Sequence, residues 1–87
     1  MPLSDKQREE IEDTIVDLHF TSEKFIETGK EVHKKLLEVN VQEAIELLEK
    51  VKDEIQDDQK AREYMIHFLL PFQLYHLIQI REGNQND

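Results

Sequence analysis

Eighty-seven residues with 20 acidic against 11 basic side chains carry a net charge of −9, and none of them is cysteine. A polyanion repels phosphate backbones, so direct nucleic-acid binding is not expected, while a basic protein partner, or mimicry of DNA towards one, is compatible with the charge. The length corresponds to one domain near the size at which a single core just suffices. Without thiols there is neither a disulfide framework nor a thiolate metal site, which suits a reducing, cytoplasmic setting.

The opening MPLSDKQREEIED is charged from Asp5 onward and has no apolar h-region, so no secretory signal is expected. Ser4 followed three residues later by Gln7 matches a capping box. From there Ile11, Ile15, Leu18, Ser22, Phe25, Gly29, Val32, Leu36 and Val39 keep an unbroken four-three spacing, the seam of a heptad repeat. Thr21 or Ser22 could cap a second helix after Phe20. The seam holds register through them, however, and predicts one helix over about 5–39, roughly 52 Å long. Within it Gly29 is expected to admit a closely packed neighbour, offsetting the about 1 kcal/mol that glycine costs a helix.

Asn40 reads as the turn, ending one helix and capping the next, which spans about 41–56. In that helix Val41, Ala44, Ile45, Leu48, Val51 and Ile55 share one face, opposite Glu43, Glu46, Glu49, Lys50, Asp53 and Glu54. Asp57 and Asp58 either cap a third helix over about 59–81 or form a solvated bend in one long second helix. Pro71 should kink this last segment, because it removes one backbone donor and frees the carbonyl of His67. Gly83 is expected to stop it and leave 82–87 as a frayed tail.

Residues 64–80, YMIHFLLPFQLYHLIQI, contain no Asp, Glu, Lys or Arg. They fall short of the about 20 residues a membrane span needs and include His67, Pro71, Gln73, His76 and Gln79. Apolar residues occur on every side of this helix, so it needs cover on every side. His76 is expected to be buried there, and His67 less so.

Chemical motifs are sparse. Gly29 and Gly83 are the two glycines, so no phosphate-binding loop can be built. No histidine has Glu three residues before it, which excludes the ligand pattern of di-iron bundles. Glu63 and His67, four apart, are at most half a metal site. Lys24, Lys30, Lys34 and Lys35 lie off the seam, and Arg8, Arg62 and Arg81 form no cluster that could hold a dianionic substrate. No catalytic, cofactor-binding or metal-binding residue is therefore assigned.

The expected protein is an all-α domain, with a long first helix antiparallel to one or two others. It is expected to act as a non-enzymatic interaction or regulatory module that forms a helical-bundle homodimer. An acidic inhibitor of a basic, nucleic-acid-binding protein is the alternative. A helix of 52 Å cannot fit inside a globule of this size, so a second copy should cover what one chain leaves bare. Phe68, Leu69, Phe72 and Tyr75 are the expected central contacts. Val16 and Phe20, together on the side away from the seam and flanked by Asp13 and Asp17, form a second candidate contact.

Overall fold

Gly29 is where the chain leaves the expected path. The computed structural model describes residues 3–85, with side chains through residue 83. It contains three helices, α1 (Asp5–Thr28), α2 (Glu31–Asp57) and α3 (Ala61–Gln85), and no strand among the described residues. The all-helical class is as expected, and α1 packs against both α2 and α3. Ser4 starts α1 through the capping box: its hydroxyl accepts from the Gln7 N–H at 3.2 Å, and Gln7 Oε1 accepts from the Ser4 N–H at 2.9 Å.

The single helix expected over 5–39 is in fact two. Gly29 adopts φ 64° and donates its N–H to Phe25 O at 2.7 Å, the left-handed ending of a helix. Thr28 reinforces the stop, donating its hydroxyl to Lys24 O at 2.8 Å and accepting from the Lys30 N–H at 3.2 Å. The break does not fall near Thr21, which is buried with Ser22 inside α1. Close packing is not the reason for glycine here, since a Cβ at position 29 would meet nothing within 4 Å. The reason is the positive φ. Gly29→Ala should therefore destabilise the fold by about 1–2 kcal/mol. Gly29→Asn should lose less, and denaturant titration of the three proteins measures the ordering.

The break also resets the seam. Ile11, Leu18 and Ser22 are buried as the heptad pattern requires, but Val32, Leu36 and Val39 are exposed. Two non-helical residues reverse the chain and rotate the next helix, so α2 buries Leu37, Val41, Ala44, Val51 and Ile55 instead. Asn40 is not a turn. It lies within α2, where its amide donates to Asp17 O and to Thr21 Oγ1, both at 3.3 Å. Thr21 in turn donates to Asp17 O at 2.8 Å, so a polar clasp joins α1 to α2.

The helices run up, down and up in an elongated body of 46 × 24 × 17 Å. Its radius of gyration is 14.2 Å, against about 12 Å for a compact chain of this length. α3 continues through Gly83 to Gln85, beyond the expected stop. Glycine permits a left-handed ending but does not impose one, and Lys34 pairs with Glu82 to tie this last turn to α2. The remainder of the expected frayed tail, residues 86–87, lies outside the described residues. None of the helices, as described, is long and apolar enough to cross a membrane.

Candidate functional site

Asp58 sets the position of α3. Its carboxylate accepts from the N–H groups of Lys60 at 3.0 Å, Ala61 at 3.3 Å and Leu3 at 3.4 Å, and pairs with the Arg8 guanidinium. One buried side chain therefore caps α3 and ties it to the start of α1. This settles the ambiguity at Asp57 and Asp58: the chain bends there, and α3 is a separate helix. Burial of Asp58 opposes its charge, but the Ala61 N–H, the Arg8 charge and the N–H groups of Leu3 and Lys60 together hold its pKa below the ordinary 3.8. A turn further on, the Tyr64 hydroxyl donates to Glu12 Oε1 at 2.7 Å. That bond, with partial burial, raises the pKa of the phenol.

Pro71 lies inside α3 and cannot bond the carbonyl of His67. The carbonyl is not left unpaired, because His19 Nε2 sits 2.9 Å from it. Towards a carbonyl the ring nitrogen must act as donor, so His19 carries its proton on Nε2. The two imidazoles meet edge to face at 6.2 Å. His19→Ala should accordingly cost about 1 kcal/mol in the native background. It should cost less beside Pro71→Ala, where residue 71 regains an N–H for the same carbonyl. A double-mutant cycle by chemical denaturation measures this coupling.

The inner side of α3 presents Phe68, Pro71, Phe72, Tyr75 and Ile78 to the other helices. Phe68, expected at a dimer contact, is 1% exposed and belongs to the chain's own core. Phe72 and Tyr75 are half-buried against that core, with the Phe68 and Phe72 rings 5.7 Å apart and Tyr75 Oη 3.5 Å from Gln42 Nε2. Leu69, one residue on from Phe68, is 56% exposed. It belongs to an outward stripe of Met65, Ile66, Leu69, Leu70, Leu77 and Ile80, exposed by 39–65%. His76 lies in this stripe and is exposed, not buried as the pattern suggested. The apolar surroundings of His76 in sequence are uncovered residues, and an uncovered face buries nothing.

Ile66, Leu70 and Leu77 were visible in the sequence as one row at helical spacing. Nothing in the sequence alone distinguished that row from the one that is covered. Val16 and Phe20 do project outward from α1, as their spacing required. Lys24 lies over the Phe20 ring at 5.9 Å. Glu63 and His67 line a hollow of about 510 Å³ with Arg8, Glu12 and Tyr64. Among the described residues no group of three His, Asp or Glu is placed to hold a metal ion.

The face left uncovered is thus the outer side of α3, an uncharged apolar stripe on a body whose other two helices are strongly acidic. No protein-family model, curated protein or solved structure matches this chain.

Proposed function

We propose that this protein is a non-enzymatic, cytoplasmic interaction module that acts as a homodimer, two copies packing through the outer face of α3. The observation that carries this reading is the stripe of Met65, Ile66, Leu69, Leu70, Leu77 and Ile80. Six large apolar side chains in continuous exposure amount to several hundred Å², at or above the largest patch of an ordinary monomer. Charge selects the copy as its own partner. α1 has eight acidic and three basic residues and α2 has eight and four, whereas α3 has two of each. Contact through α1 or α2 would oppose like charges, and contact through α3 does not.

Area agrees with this reading. The chain exposes 6358 Å², whereas a compact monomer of this mass exposes about 5,400 Å². The excess is comparable to the about 800 Å² that each partner buries in a standard interface. Sedimentation equilibrium at micromolar concentration should give a species of twice the chain mass. Leu69→Glu should convert it to a monomer with unchanged helix content, since Leu69 touches solvent and not the core. A wild-type chain that remains a 10.4 kDa monomer with a cooperative thermal transition would refute the proposal.

A further inference from the structure

The seam between α1 and α3 holds a second surface. Because these two helices run parallel, hollows along the seam succeed one another in register. The first lies between Glu12 and Val16 of α1 and Glu63 and His67 of α3. The next lies between Ser22 and Ile26 and Leu70 and Leu77, and a third between Phe25 and Gly29 and Leu77 and Arg81. From Arg8 to Gly29 this groove is about 32 Å long at 1.5 Å per residue, the length of a helix of about 20 residues. Its middle, about 240 Å³, is walled by Leu70, Pro71, Leu74, Leu77 and Ile26. Ser22 lies in the same wall, 5% exposed, with its hydroxyl buried and without a hydrogen-bond partner. A buried hydroxyl left unpaired is costly, and here it borders the space an incoming side chain would fill.

The two edges of the groove differ in charge. On the α1 side Glu9, Asp13, Glu23 and Glu27 frame Val16 and Phe20, all of them exposed, and Lys24 is occupied with Glu27 at 3.6 Å. On the α3 side residues 64–80 carry no charge. At the ends Arg8 is paired with Asp58 and Lys34 with Glu31 and Glu82, and Lys60 and Arg81 border the first and third hollows, so the acidic edge is strongest along the middle of α1. We propose that this groove binds an amphipathic helix of another protein, one with an apolar stripe and a row of Lys or Arg along the flank that faces α1. A second copy of this chain does not meet that description, because its own α1 and α2 are acidic and its α3 has only Arg62 and Arg81. The groove shares Leu70 and Leu77 with the dimer face but is completed by Ser22, Glu23 and Ile26 of α1, so a bound helix and a second copy compete for it.

The test uses a designed 20-residue helical peptide with a Leu stripe and Lys along one flank. A peptide with Glu in place of Lys, and a scrambled peptide of the same composition, serve as controls. Fluorescence anisotropy should show binding by the first peptide alone, weakening as salt rises. Amide chemical shifts should move at Ser22, Ile26, Leu70 and Leu77. Ile26→Ser, on the α1 wall of the groove and outside the dimer face, should weaken binding about tenfold, as for a central apolar anchor. Glu23→Lys should weaken it severalfold and flatten the salt dependence. The monomeric Leu69→Glu protein should bind at least as tightly as wild type, because no second copy competes for Leu70 and Leu77. Three outcomes would overturn the proposal: no binding by the Lys-flanked peptide, equal binding by the scrambled one, or an Ile26→Ser protein that changes only its oligomeric state. The last would place a second copy in the groove.

Discussion

Phe68→Ala should destabilise the protein by about 3–5 kcal/mol at every protein concentration. Phe68 is the largest fully buried side chain, and it anchors the inner side of α3 against α1 and α2 with Phe72 packed on it. Truncation removes the transfer energy of the ring and leaves a cavity that stiff neighbouring helices cannot close. For a small domain such a loss is most of the available stability, so the variant should be largely unfolded at room temperature by circular dichroism. Leu69→Ala provides the contrast. Its side chain faces water in one copy, so its effect should vanish at low concentration and emerge where copies associate. If the two adjacent substitutions behaved alike, the assignment of inner and outer faces on α3 would be wrong.

The second large effect is expected at Asp58, and it is pH-dependent. Protonation removes the charge that strengthens three backbone N–H bonds to this carboxylate and that pairs with Arg8. Because the folded pKa lies below the ordinary 3.8, the stabilisation is complete above that value and is lost as pH falls through the folded pKa. Wild-type stability should therefore drop as pH falls below 3.8 and through the lowered folded pKa. The part of that drop due to this group should be absent in Asp58→Asn. At neutral pH Asp58→Ala should be less stable than Asp58→Asn, which keeps an oxygen acceptor for the start of α3. Denaturant titrations across the pH range decide both points. An Asp58→Asn protein with the full wild-type acid profile would show that other carboxylates govern it.

Charge and surface together describe a molecule with two different faces. In the proposed scheme the neutral outer side of α3 would take a like copy, and the groove it shares with α1 at Leu70 and Leu77, with one acidic edge, an unlike, basic helix. Both arise from one circumstance. Three helices of 24, 27 and 25 residues cover each other on one side only; each leaves apolar side chains outside, Val16, Phe20 and Ile26 on α1 and Val32, Leu36 and Val39 on α2, and the row on α3 is the longest.

The amino-acid sequence carried the local information about this chain reliably. Helical periodicity, the Ser4 and Gln7 capping box and the freed carbonyl at His67 are all short-range, set by side chains within four residues of one another. Most of the amphipathic face of 41–56 belongs with them, since α2 buries Val41, Ala44, Val51 and Ile55 besides Leu37 and half-buries Leu48, whereas Ile45 is 37% exposed. Long-range facts were not legible in the same way. A heptad count treats Gly29 as one more seam position, because the spacing is equally satisfied by a helix that continues and by two that fold back. The positive φ at Gly29, and with it the exposure of Val32, Leu36 and Val39, arises only when α2 reverses to lie along α1. The same holds for α3: Phe68 and Leu69 are adjacent and similarly apolar, and only the direction from which α1 and α2 approach makes one core and the other surface. His19 reaching the His67 carbonyl, and Arg8 reaching Asp58, join groups 48 and 50 residues apart, a separation no local pattern encodes.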